Sequence, residues 1–349
     1  MTLCLRDYSL AQLESLVERY NSGKNRARTL FSALANCDVE KACDLQKVAK
    51  PLRLALHQDG YFVSPLSLQQ LCISRSDPGT VKFLFHTRDG LPVESVLMPA
   101  MGNRTTLCVS SQVGCKMACT FCCTAQLGFL RNLSRGEIVT QLTKALTFTE
   151  QSSMPNVTNI VFMGMGEPFD NFANVMAAFD TFNHSLGYGI SRDRITISTV
   201  GHVDGIDELA KREIRTNIAL SLNAPTDELR NELMPINKKW PIKELMAALK
   251  RYPLRPGRVF VIEYVLIKNI NDGDDHAKAL VELLKDLPCK VNVIKYNPSP
   301  SLPYEAPTAK EVSKFASRLE NVSKGVLVRR SRGGDIKAAC GQLGQRTKR

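Results

Sequence analysis

Residues 107–122 read Leu-Cys-Val-Ser-Ser-Gln-Val-Gly-Cys-Lys-Met-Ala-Cys-Thr-Phe-Cys, a short β-type run followed by three closely spaced cysteines. Cys115, Cys119 and Cys122 form a CxxxCxxC pattern. Three thiolates this close in sequence can ligate three corners of a cubic iron–sulfur cluster and leave the fourth iron open. A structural zinc site would want a fourth Cys or His at a matching spacing, and the next histidine, His184, completes no such set. The pattern therefore favours a 4Fe-4S cluster over zinc.

From about residue 105 onward, the apolar pattern alternates between strand-like and helix-like periods. Such alternation predicts parallel strands joined by crossover helices, hence an α/β sheet or a partial barrel. In that architecture, functional side chains collect on the loops that follow the strands. The predicted strands are 106–109, 159–162, 195–198, 217–222, 259–266, 290–296 and 325–328, and the predicted helical segments are 136–148, 172–183, 203–211, 242–250, 274–286 and 308–320.

Two further segments precede this core. Residues 1–60 are predicted to form short helices, since apolar residues recur at helical spacing, first between Leu10 and Val17. From residue 61 to residue 104 the pattern changes to short β-type runs bounded by turn signals. We therefore predict a helical accessory domain at 1–60, a β extension at 61–104 and the α/β core at 105–349.

The composition excludes several classes of protein. The chain has 349 residues, of which 44% are hydrophobic and 23% charged, close to the average for soluble globular proteins and unlike a disordered, collagen-like or coiled-coil chain. No stretch approaches the ~20 apolar residues of a membrane span, and the opening residues show no secretory signal. We expect a cytoplasmic protein whose eleven cysteines are reduced, catalytic or bound to metal.

The charge balance favours a polyanionic partner. Lys plus Arg total 46 against 34 for Asp plus Glu, a net charge of +12. A surplus of this size attracts phosphate backbones, although a merely basic soluble protein would show it too. Near the C terminus, one acid, Asp335, stands among the cations Arg329, Arg330, Arg332, Lys337, Arg346, Lys348 and Arg349.

Several motifs together produce a family resemblance. Beside residues 107–115, they are Cys-Cys-Thr-Ala-Gln-Leu-Gly-Phe at 122–129, Phe-Met-Gly-Met-Gly-Glu-Pro at 162–168, Leu-Met-Pro-Ile-Asn at 233–237 and Ala-Ala-Cys-Gly-Gln at 338–342. From Glu94 to Gln342 the chain resembles radical S-adenosylmethionine enzymes and, within them, the RlmN/Cfr RNA methyltransferases. The resemblance implies an α/β fold built as a partial (βα)6 TIM-like barrel.

The resemblance also implies the cofactor ligands. It assigns Cys115, Cys119 and Cys122 to a 4Fe-4S cluster whose open iron takes the amino and carboxylate groups of S-adenosylmethionine. Taken alone, the residues that match cofactor contacts would be ordinary turn or capping residues. Asn223 departs from the family, which carries His there, and Asn can hydrogen-bond but cannot carry a charge. The implied S-adenosylmethionine contacts are Gly166, Glu167, Ser198, Ser221, Leu222, Asn223 and Asn297.

Two thiols and a carboxylate complete the implied site. By resemblance, Cys340 is methylated by one S-adenosylmethionine, and a 5′-deoxyadenosyl radical from a second one abstracts hydrogen from that methyl group. The methylene group then joins an adenine ring carbon, Cys108 resolves the RNA–enzyme crosslink, and Glu94 accepts the ring proton. Taken alone, Cys340 would be an incidental thiol, Cys108 a buried strand residue and Glu94 a solvent-facing one. Because the two sulfurs must come within bonding reach, we also expect a Cys108–Cys340 disulfide in air-exposed protein.

The leading hypothesis is an adenine C2 methyltransferase that acts on 23S rRNA and on the adenosine next to the anticodon in tRNA. The alternative is Cfr-type methylation of C8 of the same rRNA adenosine, which uses the same cysteines. The sequence around Cys115 looks closer to the C2 type. A non-catalytic iron–sulfur RNA-binding protein would need neither Cys108 nor Cys340. We further expect a reductant such as flavodoxin or ferredoxin, a monomer, and no membrane partner.

Overall fold

The computed structural model describes residues 3–100, 102–320, 322 and 324–344. The helices within these ranges are α1 (Leu10–Glu18), α2 (Lys24–Asn36), α3 (Lys50–Gln58), α4 (Cys123–Gln126), α5 (Arg135–Gln151), α6 (Phe172–Asn183), α7 (Val203–Lys211), α8 (Asp227–Leu233), α9 (Ile242–Arg251), α10 (Asp274–Leu284) and α11 (Ala309–Ser317). No helix within them is both long and apolar enough to cross a bilayer.

The strands are β1 (Leu66–Ile73), β2 (Val81–Thr87), β3 (Pro92–Ala100), β4 (Arg104–Cys108), β5 (Gln112–Gly114), β6 (Phe129–Asn132), β7 (Val157–Phe162), β8 (Ile195–Thr199), β9 (Asn217–Ser221), β10 (Phe260–Leu266), β11 (Cys289–Lys295) and β12 (Val326–Arg329). Ten of them form one sheet in the order β1-β2-β3-β4-β7-β8-β9-β10-β11-β12, and β5 pairs with β6 separately. Each strand from β1 to β4 is antiparallel to its neighbour within that group, whereas β4 and β7 to β12 are parallel.

The predicted fold class is confirmed. Six strand–helix units run from β4 to α11, β12 follows them, and the sheet remains open among the described residues, as a partial barrel requires. Every strand predicted beyond residue 105 is present, with ends that differ by at most two residues. The edge strand β1 was not individually predicted, because its largely exposed side chains show little apolar alternation.

The two faces of the large sheet differ in chemistry. Side chains alternate between faces along a strand, so Ile197, Leu220 and Ile262 share one face and pack with the helices in the main hydrophobic core. The strand registers place Cys108, Ser198 and other polar residues on the opposite, inner face. The helices therefore cover the apolar face and leave the inner face for function.

The N-terminal helices have a hydrophobic core of their own. Side chains from Leu5 to Val63 form a cluster separate from the main core. It is joined to α5 by polar contacts, since Gly136 N donates to Asp7 Oδ1 at 2.6 Å and Arg6 Nη1 donates to Thr140 Oγ1 at 3.1 Å. Helix α5 thus connects this N-terminal unit to the sheet.

Candidate functional site

The inner face of the sheet gathers most of the predicted site residues that lie on strands. Cys108 on β4 stands opposite Val96 on β3 and Val161 on β7. Ser221 stands opposite Glu263 on β10. Following the registers across the sheet places one continuous set of polar side chains on this face, namely Lys82, Glu94, Cys108, Ser198, Ser221, Glu263, Asn292 and Arg329.

The three-cysteine loop lies beside this face, and a tight backbone crossing fixes where it begins. Gly114 ends β5 with φ +75°, and a Cβ there would lie 1.8 Å from the carbonyl oxygen of Gly128. Only glycine fits at that distance. Cys115 N then donates to the same Gly128 oxygen at 2.9 Å. Further along, Thr120 N donates to Leu233 O at 3.0 Å, which holds the loop against α8.

Cys115, Cys119 and Cys122 share one largely apolar environment with Met234 and Tyr296. Burial raises the pKa of all three thiols, that of Cys115 to about 12. The nearby Cys122 thiol raises the pKa values of Cys115 and Cys119 further, so the three sulfurs lie within electrostatic reach of one another. The protein alone therefore keeps these thiols neutral, and a bound cation is needed to favour the thiolate form.

These thiols fit an iron–sulfur cluster better than a single ion. No group of three or more His, Cys, Asp or Glu side chains in the described part of the chain surrounds one metal position. A cubic cluster does not need its cysteines to surround one point, because each cysteine binds a different iron at a different corner. The donor set, three buried thiols in an apolar surrounding, has the chemistry that a cluster requires.

Gly166 and Glu167 follow β7, as predicted. Gly166 has φ +98°, and a Cβ there would meet the side chain of Gln112 at 2.5 Å. Glu167 is buried, and its two oxygens accept from Phe169 N at 3.2 Å and Val200 N at 2.9 Å. Burial raises the pKa of Glu167 to about 7. The carboxylate therefore ties this turn to the end of β8, a role that the sequence did not reveal.

Asn223 is held by backbone geometry and by its side chain. Its φ of 59° lies in the left-handed region, where Asn is one of the favoured non-glycine residues. Its Oδ1 accepts from Val265 N at 2.8 Å, and its Nδ2 lies 3.3 Å from Met234 Sδ. Asn thus fills this position with hydrogen-bonding contacts and without a charge.

The remaining predicted cofactor contacts lie along strand ends. Ser198 is buried in β8, and Ser221 ends β9 immediately before the buried Leu222. Asn297 follows β11, and its Nδ2 donates to the carbonyl oxygen of Cys340 at 3.1 Å. Asn297 therefore contacts the segment that bears the predicted methyl carrier.

Cys340 lies on an exposed part of a loop that covers the inner face, and the loop is anchored on both sides. Asp335 accepts from Ser74 Oγ at 2.6 Å, and beyond Cys340 the oxygen of Gly341 accepts from Cys123 N at 2.7 Å. Thr124 Oγ1 also donates to the carbonyl oxygen of Leu343 at 2.7 Å. The tail cations beyond residue 344 lie outside the described residues.

Cys108 and Cys340 are brought together although they are far apart in sequence. Burial raises the pKa of Cys108 to about 12, and the nearby Cys340 thiol contributes to that rise. Cys108 also packs with Ala338 and Leu343 of the same loop. The structure corrects one expectation about this pair. No disulfide joins any cysteines of the described chain, and Cys108 and Cys340 are both thiols.

Glu94 is buried, contrary to the solvent-facing position that its strand pattern alone suggested. Only 1% of the residue is exposed, because β3 is an interior strand and the Cys340 loop covers its inner face. Oε1 lies 3.0 Å from Lys82 Nζ, in an ion pair rather than a well-aligned hydrogen bond. Oε2 accepts from Gly344 N at 2.7 Å.

Sequence reasoning missed two charged residues on the inner face, Lys82 and Glu263, and it assigned Arg329 to the cationic tail although Arg329 lies on β12 beside Glu263. Arg329 Nη1 lies 3.4 Å from Glu263 Oε1, and the pKa of Arg329 is raised mainly by the nearby Cys340 sulfur, then by Glu263 and Cys108. Glu263 interrupts the apolar run Phe-Val-Ile-Glu-Tyr-Val-Leu of β10. A charge inside such a run is rarely buried without a partner, and that signal could have identified it.

Unpartnered polar atoms on this face leave room for a polar ligand. Glu263 Oε2 and Asn292 Oδ1 are buried and have no hydrogen-bond partner among the described residues. Buried acceptors of this kind usually find a donor. A ligand with hydroxyl or ammonium donors, such as S-adenosylmethionine, has the chemistry to satisfy them.

Comparison with known proteins shows what this chain is similar to. Residues 109–283 match the Radical SAM superfamily. The chain is 42% identical over 341 residues to the dual-specificity RNA methyltransferase RlmN of Syntrophobacter fumaroxidans, with 98% of each chain covered. It is 40% identical to the protein of that name from Geotalea uraniireducens, covering 97% of this chain and 96% of the relative. A crystal structure of a radical SAM methyltransferase from Sphaerobacter thermophilus superposes with a TM-score of 0.92 at 39% identity, covering 98% of this chain and 99% of the other.

Proposed function

The chain belongs to the RlmN family of methyltransferases within the radical SAM superfamily, and from that premise we propose that it methylates C2 of a specific adenosine in 23S rRNA. We further propose that it methylates the adenosine next to the anticodon in tRNA. One observation carries the proposal: the Cys108 thiol lies on the inner face beneath the loop that bears Cys340, within electrostatic reach of the Cys340 sulfur. RNA binding alone would need no such pair of thiols.

Family membership implies a 4Fe-4S cluster and S-adenosylmethionine as cofactors. Cys115, Cys119 and Cys122 are the proposed cluster ligands, because they share one buried environment. When bound, these cofactors supply methyl groups and the radical chemistry that removes a hydrogen atom from an unactivated methyl group. We propose that each turnover consumes two molecules of S-adenosylmethionine.

The chain's own residues divide the remaining work. Cys340 is the proposed methyl carrier, since it is exposed on a loop anchored over the inner face. Cys108 is the proposed resolving thiol: its sulfur bonds to the sulfur of Cys340 while the bond from Cys340 to the RNA-linked carbon breaks. That carbon keeps the bonding electrons and takes up a proton to become the methyl group, and a thiol reductant then returns the transient Cys108–Cys340 disulfide to two thiols. Glu94 is the proposed acceptor of the ring proton. It is buried two residues before Val96, the strand partner of Cys108, and this supports a position near the reacting base.

The cofactor contacts are proposed on the strand ends that surround the three-cysteine loop. Backbone and side chains here offer hydrogen-bond partners on the inner face, and Glu263 and Asn292 leave acceptors unfilled. Glu167 keeps lone pairs beyond its two backbone contacts. The proposed contacts are Gly166, Glu167, Ser198, Ser221, Leu222, Asn223 and Asn297.

The N-terminal unit is the proposed RNA-handling domain. Residues 1–60 as accessory domain, 61–104 as β extension and 105–349 as catalytic core remain our proposed division. The accessory helices carry exposed Lys24, Arg26 and Arg28, which can contact phosphates. A reductant such as flavodoxin or ferredoxin, a monomeric state and a cytoplasmic location, where these RNAs are found, complete the proposal.

Mass spectrometry of nucleosides tests this function. A strain lacking the gene should lose 2-methyladenosine from 23S rRNA and tRNA, and the wild-type gene should restore it, whereas the Cys340→Ala gene should not. Appearance of 8-methyladenosine instead would assign the Cfr-type reaction. If neither nucleoside depends on the gene, the proposed function is refuted.

A further inference from the structure

A buried ion pair on β2 and β3 contacts the segment that carries Cys340. The side chains of Lys82 and Glu94 are each only 2% exposed, and their charged atoms lie 3.0 Å apart. Each partner also reaches a different point of the C-terminal loop. Gly344 N donates to Glu94 Oε2 at 2.7 Å, and Lys82 Nζ donates to the carbonyl oxygen of Lys337 over a longer 3.4 Å.

The two contact points bracket the methyl-carrying segment, residues 337–344. Between them, Ala338 and Leu343 pack against Cys108 and Val96 on the inner face and against Met165, which follows β7. This segment therefore lies over Cys108 and is held at both of its ends by one ion pair.

We propose that Lys82 and Glu94 form a clasp that holds the 337–344 loop against the sheet and so positions Cys340 over Cys108. Glu94 is then a positioning residue as long as the loop is closed, in addition to its proposed role toward the ring proton. Lys82 becomes a positioning residue for the same loop. The inference rests on the proposed function only for its consequence in methyl transfer, because the contacts exist without RNA.

Stability alone does not call for charges at this place. Replacing a buried ion pair by apolar side chains of similar size is often neutral or even stabilising. Charged groups, however, make stronger hydrogen bonds to the backbone than neutral groups do. A charged clasp can also be opened, since a proton transferred from the adenine ring carbon to the Glu94 carboxylate removes its attraction for Lys82. The loop would then loosen after the new carbon–carbon bond has formed.

Hydrogen–deuterium exchange on the full chain, purified anaerobically and without RNA, tests the clasp. In Lys82→Met, amides of residues 337–344 should exchange about tenfold faster, which corresponds to about 1.4 kcal/mol in the free energy of loop opening. Glu94→Gln keeps an acceptor for Gly344 N but loses the charge, so its loop should exchange at an intermediate rate. Amides of β8 to β10 should keep their wild-type protection in both variants.

A matched control separates the clasp from the general loss of a buried charge pair. Lys144 forms a partly buried ion pair with Asp38 at 2.8 Å, with side chains 15% and 16% exposed, in the contact between α5 and the N-terminal unit and away from the 337–344 loop. Lys144→Met should leave exchange of residues 337–344 unchanged. Equal acceleration of that segment in Lys144→Met and Lys82→Met overturns the proposal.

A second variant keeps the test decisive if Lys82→Met fails to fold because Glu94 is left unpaired. Lys82→Met/Glu94→Leu leaves no unpaired charge at this position and should fold, yet it removes both contacts of the ion pair to the loop. The contacts of Cys340, Gly341 and Leu343 with Asn297, Cys123 and Thr124 remain. Its loop should exchange faster than wild type, and Cys108, buried beneath the loop, should react faster with iodoacetamide. Wild-type loop exchange in this double variant refutes the clasp, whereas absence of methylated adenosine with the wild-type protein refutes only the proposed function.

Discussion

Cys108 and Cys340 differ in exposure, and that difference predicts separate phenotypes. Cys340 is exposed, whereas Cys108 is buried beneath its loop. We expect Cys340→Ala to leave no labelled methyl group on the protein and to abolish RNA methylation, because the carrier sulfur is gone. Cys108→Ala should still take up the methyl group and then accumulate a covalent RNA adduct through Cys340. Denaturing gels with and without nuclease measure that adduct.

Cys289 provides the matched control for this prediction. It is also a buried strand cysteine, and burial raises its pKa to about 11, but it lies in the hydrophobic core on the helix-covered face of the sheet. Cys289→Ala should therefore turn over without a trapped adduct. If Cys108→Ala also turned over without a trapped adduct, as Cys289→Ala is expected to do, the role of Cys108 would be purely structural.

Glu167 is a second residue whose environment predicts a measurable effect. Burial raises its pKa from 4.5 to about 7, so the folded protein holds this proton to higher pH than the unfolded chain does. The stability linked to this group is complete below pH 4.5 and is lost as the pH rises through about 7. The change between pH 5 and pH 8 should amount to about 2 to 3 kcal/mol.

Glu167→Gln removes this titration and tests the sign. Urea unfolding of the iron-free protein at pH 5, 6, 7 and 8 gives the stability of both forms. The free energy of unfolding of the wild type, relative to that of the variant, should fall as the pH rises. The amide of the Glu167→Gln variant has one acceptor oxygen instead of two, and the hydrogen bond lost in this way changes the free energy of unfolding by the same amount at every pH. A difference in stability between wild type and variant that does not change with pH would therefore contradict the raised pKa of Glu167.

Among the elements, the three-cysteine loop between β5 and α4 makes the most specific prediction. Anaerobically reconstituted protein should hold about four irons and show a cluster absorption band, since three thiolates leave one iron open. Cys119→Ala should lose both the iron and the cleavage of S-adenosylmethionine. Iron analysis and the visible spectrum measure the first effect, and product chromatography measures the second.

Cys123 is the control within the same loop. It begins α4, and its backbone N, which donates to Gly341 O, persists in an alanine variant. Cys123→Ala should therefore keep about four irons. Stoichiometric zinc without iron in the wild-type protein, or loss of iron in Cys123→Ala alone, would contradict the assigned ligands.

For the whole molecule, the net charge of +12 predicts salt-dependent RNA binding. Each phosphate contact should lower log K by about 0.7 to 0.9 per log unit of salt. Neutralising Lys24, Arg26 and Arg28 together, as Gln variants, should therefore reduce the slope by up to about 2 to 3. Binding isotherms at several salt concentrations measure this slope.

A second triple variant separates the location of charge from its amount. Lys211, Lys278 and Lys285 are exposed on α7, on α10 and just after α10, each in an ion pair with an acid three residues earlier. Their replacement by Gln removes the same charge and should leave the slope near the wild-type value. If both triple variants changed the salt dependence of log K equally, the N-terminal helices would have no special role in RNA binding.

Local patterns in the sequence determined the α/β fold, the parallel strands beyond residue 105 and the three-cysteine motif. The spacing of apolar residues along a strand reflects which of its side chains are buried, so strands can be recognised locally. The three cysteines lie within eight residues of one another, so their motif can also be read without knowledge of the tertiary structure. The edge strand β1 escaped individual prediction because its side chains are largely exposed. The same local reasoning misjudged the exposure of Glu94.

Only the tertiary structure decided which distant residues meet. The burial of Glu94 depends on a loop some 250 residues away in sequence, which covers β3 after the whole sheet has formed. Lys82 and Arg329 likewise acquire their partners from other strands. Such contacts follow from the order of the strands in the sheet and from the crossover connections between them, and neither can be read from local apolar periodicity. The sequence by itself therefore determined the secondary-structure elements and the cysteine chemistry, whereas the packing of the sheet decided which residues surround Cys340.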